Sequence, residues 1–272
     1  MVSTALARGI KNIDMAINLT DFEDGKSYDG DYDHDLLKLQ DRLARIQISY
    51  IVHKQSAIIA FEGWDASGKG GTISRMTGQW DPRYFEVWPI AAPIEEEYER
   101  HFLWRFWKRL PAKSEINVFD RTWYGRVLVE RVEGFATEKE WKRAFDEINE
   151  FEAQQKDNGV TLVKIFLHIT QNEQDERFQH RLNDPWKRWK TGKDDYRNRA
   201  RRDDYLKAYH DMFERTDTRW APWRVIDGNN KKAARIAALT YIADRLEAGV
   251  SMKPLDADPE VVALAAAAFG PG

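Results

Sequence analysis

There is no cysteine in the 272 residues. That excludes disulfides, thiolate metal sites and cysteine nucleophiles, and it fits a reducing compartment, so a cytoplasmic location is expected. There is no long apolar run either. Nothing approaches the roughly 20 consecutive apolar residues a membrane helix needs, and Met1–Asp14 lacks the unbroken apolar core of a signal peptide. A soluble chain with no membrane partner follows. A surplus of cations is also missing: 42 lysines and arginines face 45 acids, for a formal net charge of −3. A general nucleic-acid coat needs excess cations to displace counterions, so nucleic acid is not an expected partner and any basic site must be local. Histidine is scarce, and neither His168 nor His180 has a second histidine or a cysteine at metal spacing. Both read as ordinary packed or surface residues.

What is present is apolar residues in ordered places. Hydrophobic residues make up 42% of the chain, enough for one large α/β domain with extensions. From Asp21 to Asp35 the chain is acidic and rich in Gly, Asp and Tyr, which suits an extended surface arm, taken as residues 1–35. Leu36, Leu39, Leu43, Ile46 and Tyr50 then recur three and four apart, as on a helix with one buried stripe. Five short runs rich in β-branched and aromatic residues follow: Ser56–Glu62, Phe85–Ile90, Ile116–Asp120, Leu162–Ile169 and Trp223–Asp227. Each is separated from the next by enough chain for a helix. Several are nearly continuous in apolar residues, as strands covered on both faces are, and a parallel sheet of βαβ units is predicted. Between the third and fourth runs, Thr137 and Glu140 form a capping-box pair, Trp141, Phe145 and Ile148 share a helical face, and Gly159 can end the helix. The domain spans 36–250. The tail, 251–272, ends in a segment from Ala263 through Ala268 to Gly272 that is alanine-rich and then breaks at Gly and Pro, and it reads as frayed or waiting for a partner.

Directly after the first run comes Gly63-Trp64-Asp65-Ala66-Ser67-Gly68-Lys69, a Gly-x4-Gly-Lys phosphate loop in its strand-loop-helix setting. Glycines let backbone amides turn inward around phosphate oxygens, the following helix N-terminus adds its positive dipole end, and Lys69 supplies a full charge. Gly63, Ala66, Ser67, Gly68, Gly70 and Gly71 are therefore expected around phosphate. The bland alternative is a Gly-rich turn with a chance lysine. Two departures from the general pattern are informative. Gly70 follows Lys69, so the Ser or Thr hydroxyl that would touch magnesium is missing there. Asp65 lies inside the loop, where a carboxylate would be repelled by phosphate unless a divalent cation lay between them. Asp65 is the candidate replacement ligand; the competing reading has it face solvent or cap the helix.

The third run ends in Asp120-Arg121-Thr122-Trp123-Tyr124-Gly125-Arg126. A carboxylate at the C-terminal end of an apolar strand is where a P-loop protein places its second magnesium-side acid. Arg121, just beyond, would reach the crevice outside the strand ends with a guanidinium fork that matches phosphoryl oxygens. Alone, such a pair could equally be a helix cap with a surface ion pair. The phosphate loop upstream favours Asp65, Lys69, Asp120 and Arg121 as the catalytic set. A cation-rich segment, 174–205, follows the fourth run, where nucleoside-phosphate kinases carry a mobile lid. Arg177 and Arg181 share a helix face, and with Lys187 and Arg188 they are candidate phosphate-binding cations. Arg197, Arg199, Arg201 and Arg202, interleaved with acids, read as solvated charge.

At these residues the chain resembles the polyphosphate kinase 2 family, in its single-domain form. The resemblance runs from about Leu36 to Leu246 and rests on Phe61–Gly71, Phe119–Glu133, Phe166–Arg177 and Pro185–Lys190. The run from Phe119 to Arg131 is similar to the family's second-acid signature, with Thr122 where Ser is usual. It implies a three-layer α/β/α P-loop kinase fold with a parallel five-stranded sheet and a helical lid. It also implies transfer of a terminal phosphoryl group between inorganic polyphosphate and a nucleotide. Magnesium, with manganese as a substitute, would be held by Asp65 and Asp120. Lys69, Arg121 and the lid cations fall on phosphate-binding positions, and Arg126 and Arg131 lie in the same signature. The Trp-Tyr-Gly-Arg wording resembles the monophosphate-acceptor group, so AMP to ADP is the expected reaction, with ADP to ATP or GDP to GTP as further reactions of the family. The implied partners are polyphosphate, a nucleoside mono- or diphosphate, and copies of the same chain in a dimer or tetramer. Two rivals stand beside this reading. One is an ATP-dependent nucleoside monophosphate kinase of the thymidylate kinase type, and the other a module that binds polyphosphate or nucleotide without chemistry.

Overall fold

The computed structural model describes residues 17–270; the expectation for Met1–Asp14 and the end of the tail lie outside the described residues. Five strands, β1 (Ala57–Gly63), β2 (Phe85–Pro89), β3 (Ile116–Asp120), β4 (Thr161–His168) and β5 (Trp223–Asp227), form one parallel sheet in the order β2-β3-β1-β4-β5. The helices are α1 (Tyr32–Val52), α2 (Lys69–Met76), the single turns α3 (Glu95–Tyr98), α4 (Trp104–Trp107) and α5 (Val129–Val132), then α6 (Glu138–Asp157), α7 (Gln171–Asn183), α8 (Lys193–Ala200), α9 (Arg202–Thr216), α10 (Lys231–Glu247) and α11 (Pro259–Phe269).

The three layers follow from the strand sequences. Ala57, Ile59 and Phe61 join Val118, Val163, Ile165 and Leu167 in a core covered by α1, α2 and α10. Ile58 and Ala60 point the other way, joining Phe119, Leu162, Phe166 and Val225 under α6 and α9. A strand apolar on both faces cannot face water, and this forces helices onto both sides. The capping box expected for α6 is present, with Thr137 N donating to the Glu140 carboxylate at 2.7 Å and Thr137 Oγ1 accepting from Glu140 N at 3.4 Å. No helix among the described residues is long and apolar enough to cross a membrane.

Two segments differ from the sequence reading. Helix α1 begins four residues before Leu36, because the Asp31 side chain caps it by accepting from His34 N at 3.2 Å. The arm before it does lie at the surface, with no residue from Asp21 to Asp31 buried, but it is tied down in a way the sequence reading did not foresee. Leu19, on a short 3-10 turn (Leu19–Phe22), is buried in the core under α6 and α9, and the Gly25 amide donates to the Asp227 carboxylate at 2.7 Å. Acids and glycines look like a free arm in sequence; here they find donors and acceptors at the ends of β4 and β5. Helix α11, by contrast, is exposed along its whole length.

Strand order places the site. From β3 the chain crosses over β1 to β4, and in open α/β sheets ligands gather outside the carboxyl ends where the winding reverses. The register sets Phe61 level with Asp120, so the phosphate loop begins directly beside the Asp120–Arg121 turn.

Candidate active site

The loop between β1 and α2 depends on conformations few residues allow. Gly63 has φ +137°, and a Cβ there would lie 2.3 Å from the Leu167 carbonyl oxygen, so only glycine fits. Gly68, at φ +110°, opens α2, and Ala66 sits at φ +63° without being glycine. Gly70 and Gly71 belong to the first turn of α2. A Cβ on Gly70 would stand 3.9 Å from Asp120 Oδ2, so the acid of β3 lies beside the position where other phosphate loops carry their hydroxyl. Lys69 is buried, and its Nζ donates to the carbonyls of Gly63 at 2.8 Å and Trp64 at 3.0 Å. Burial pushes the Lys69 ammonium below its usual value, opposed by the charges of Asp120, Asp65 and Glu62.

Asp65 reaches across the loop. Its Oδ1 accepts from Arg121 Nη2 at 2.7 Å and its Oδ2 from Asn198 Nδ2 at 3.0 Å, while its carbonyl accepts from Gln174 Nε2 at 2.9 Å. Burial alone would raise this carboxyl, but Arg121, Lys69 and the Asn198 hydrogen bond hold it below the usual carboxylate range. Arg121 sits at φ +65°, held by the hydrogen bond its amide donates to the Phe61 carbonyl at 3.0 Å. Thr122 locks the same turn: its N and Oγ1 both donate to Glu62 at 2.8 Å, and Oγ1 accepts from Tyr124 N at 3.1 Å. The hydroxyl that Thr shares with Ser is therefore in use. Below the turn, Trp123 Nε1 and Tyr124 OH donate to Glu152 at 3.0 and 2.7 Å, and Lys164 Nζ donates to the other Glu152 oxygen at 2.9 Å.

Asp65, Lys69, Asp120 and Arg121 thus converge: Lys69 and Arg121 each lie within the electrostatic reach of both acids. The lid cations do not converge with them as a group. Arg177 is a correction. It is 4% exposed, and its guanidinium donates to the carbonyls of Ala66 and Ser67, both at 2.9 Å, and of Gly228 at 2.6 Å. It braces the phosphate loop from behind, because backbone carbonyls and Glu173 take its donors. Arg131 is a second correction: it pairs with Asp211 at 2.7 Å and lies over the Trp141 ring, away from the loop. Arg126 faces the cleft but is paired with Glu130 at 3.0 Å. Arg181, in the last turn of α7, donates to the Lys190 carbonyl, and on the exposed segment that follows Lys187 pairs with Asp184 and Arg188 donates to the Leu182 carbonyl.

A cleft of about 430 Å³ opens beside the loop, running from Asp65 and Arg121 to Phe102, Arg126 and Phe135. On the α10 side, Arg235 and Arg75 approach Gly71, and Lys231 stands near Arg177 and Arg235; none of the three is paired with a carboxylate among the described residues. Sequence reading missed Glu62, Asn198 and Gln174, and these cations as well. Glu62 had one signal, its place between an apolar strand and the loop, and Arg75 lies one helical turn after Gly71 on α2; the others come from remote segments that only folding joins. It also assigned nothing to His168, which is fully buried and bonded to Trp64 of the loop.

The profile of the family described as Polyphosphate kinase 2 (PPK2) matches residues 26–254. The chain is 48% identical over 230 residues to a polyphosphate:AMP phosphotransferase of Acinetobacter johnsonii, covering 85% of this chain and 48% of the relative. It is 42% identical over 216 residues to ADP-polyphosphate phosphotransferase 2 of Rhizobium meliloti, covering 79% and 71%. The crystal structure of polyphosphate kinase 2 from Arthrobacter aurescens TC1 superposes with a TM-score of 0.84 at 33% identity, covering 96% of this chain and 94% of that one. The chain spans less than half the length of the polyphosphate:AMP phosphotransferases it matches. The phosphate loop, Asp120 and Arg121 all fall within the matched segment, and a match of this extent makes the chain a member of the polyphosphate kinase 2 family.

Proposed function

We propose that the chain moves a terminal phosphoryl group between inorganic polyphosphate and a nucleotide, with AMP to ADP as its reaction. The observation that carries this is the meeting of Asp65, Lys69, Asp120 and Arg121 between a nucleotide-sized cleft and three cations, Arg75, Lys231 and Arg235, that pair with no carboxylate among the described residues. The cleft has the volume of small-molecule sites and mixes aromatic walls, Phe102, Phe106 and Phe135, with charged groups, as an acceptor nucleotide requires. Arg75, Lys231 and Arg235 suit the trailing phosphates of a polyanionic donor. Relatives named for AMP support the acceptor; others named for ADP, NDP and GDP make the diphosphates the first alternatives to assay.

Two carboxylates facing one buried ammonium form a hard oxygen donor set that fits magnesium or manganese, with Asp65 and Asp120 as the holders. Bound there, the metal would supply charge neutralisation between donor and acceptor oxygens. The chain's own groups do the rest. Loop amides and Lys69, whose ammonium has a third donor beyond its two carbonyl bonds, hold the transferring phosphate. Arg121 uses one nitrogen on Asp65 and has others for phosphoryl oxygens. An acceptor that is already a phosphate needs no general base, so none is assigned.

The test is ADP formation from AMP with long-chain polyphosphate and Mg2+, run beside ADP, GMP and GDP. Turnover with none of them overturns the proposal. Turnover from ATP but not polyphosphate selects the thymidylate kinase type instead, and a wild-type chain that binds nucleotide without turnover, with binding that survives Asp120→Asn, selects a binding module. A homo-oligomer, dimer or tetramer, in the cytoplasm belongs to the same proposal. Val261, Leu264 and Phe269 of α11 are exposed and would be covered by another copy; a monomer by light scattering removes that part.

A further inference from the structure

Trp64 is the corner of the phosphate loop. It lies between Gly63 and Asp65, and its carbonyl accepts from Lys69 Nζ at 3.0 Å and from Ser67 N at 3.1 Å. Its side chain is buried and gripped on every side. Arg202 lies 3.9 Å over the ring, Tyr209 meets it edge-on at 4.8 Å, and Nε1 donates to His168 Nδ1 at 2.9 Å. On its other side, His168 Nε2 lies 2.9 Å from Glu23 Oε1.

These two contacts fix the proton positions. An indole nitrogen only donates, so His168 Nδ1 must be the bare acceptor. The imidazole hydrogen then sits on Nε2 and is donated to Glu23. In the other tautomer, two N–H groups would face each other across 2.9 Å, and Trp64 would have to give way. Glu23 lies in the N-terminal arm, 145 residues from His168 and three residues before the family match begins. The arm is held at this point by a second contact, the Gly25 amide on Asp227.

We infer that Glu23 is a positioning residue for phosphoryl transfer: through His168 it fixes the tautomer that anchors Trp64, and so holds the loop corner to which Lys69 and Asp65 are tied. The inference rests on the proposed phosphotransferase activity and adds to it a group outside the cleft. It explains why a fully buried histidine with no metal-binding company stands at the end of β4, and why an acidic arm is laid over the strand ends.

The experiment compares Glu23→Gln, which keeps an acceptor oxygen, with Glu23→Met, which keeps the length and loses it. With AMP, polyphosphate and Mg2+, Glu23→Met lowers kcat about tenfold while both KM values change less than twofold, and Glu23→Gln stays within about twofold of wild type. Nitrogen NMR of the wild-type chain should show His168 protonated on Nε2. In Glu23→Met the Trp64 indole N–H resonance, assigned by its disappearance in Trp64→Phe, shifts or broadens. Equal kcat in Glu23→Met and wild type, equal losses in both variants, or an Nδ1-protonated His168 in wild type would each overturn the inference. The tautomer needs no turnover and no variant. A wild-type chain inactive with every nucleotide therefore indicts the proposed activity, and the NMR still decides the relay.

Discussion

Lys69 is a full charge held by two backbone carbonyls at the mouth of a glycine-built loop, at a cost set by its burial. A charge preorganised in this way is worth most where charge develops during transfer. Lys69→Ala should lower kcat by a factor of about 100 or more, measured by steady-state ADP formation with the fold checked by circular dichroism. Near-wild-type turnover would remove Lys69 from the mechanism. Arg177 predicts a different phenotype. Its donors end on three loop and strand-end carbonyls inside the protein, so Arg177→Ala strands buried acceptors and should cost about 2–4 kcal/mol of stability, read from urea unfolding. A free lid cation would instead leave stability untouched and raise the KM for polyphosphate. Loop glycines, Lys69 and the two acids were legible in sequence because each obeys a local rule of backbone freedom or charge. The role of Arg177 was not, since spacing alone cannot tell whether a guanidinium turns toward a ligand or toward carbonyls.

At the scale of elements, the five strands were legible nearly to the residue, the central ones most clearly, because runs apolar on both faces must be covered on both sides. The arm lies at the surface, as its composition suggests; what its composition did not show is that it is tied to the ends of β4 and β5. Its contact with His168 carries a pH dependence. Burial, helped by the charge of Arg202, holds the imidazole below its ordinary value of 6.5, against the pull of Glu23 and Asp227. Below about 6.5 the unfolded chain binds a proton that the native chain refuses, so stability falls as pH drops, until the native imidazole also takes its proton. Urea midpoints measured from pH 7.5 downward should show this decline, and it should be smaller in His168→Gln. Midpoints of the two chains that run parallel with pH would show that His168 titrates alike in both states.

Across the whole molecule, one buried ion pair joins four parts of the fold. Lys164 on β4 and Glu152 on α6 are both fully buried; Lys164 also donates to Tyr124 OH at 3.0 Å, in the turn after Arg121, and to the Thr216 carbonyl of α9 at 2.8 Å. Removing one partner leaves an uncompensated buried charge, so Glu152→Ala should cost about 3–5 kcal/mol, whereas the double change Lys164→Met, Glu152→Leu should cost much less. Chemical denaturation of both variants decides this, and a double variant as unstable as the single one would mean that the hydrogen bonds to the turn and α9 dominate. By itself the sequence determined the parallel α/β sheet, the phosphate loop and the pair Asp65 and Asp120, because period, glycine freedom and strand-end position act over a few residues. Only the tertiary structure decided which cations flank the loop and which brace it, what lines the cleft, and how Glu23 reaches Trp64. Those outcomes depend on remote segments, such as Glu23 and His168 145 residues apart, meeting within hydrogen-bond distance, and no local pattern encodes such meetings.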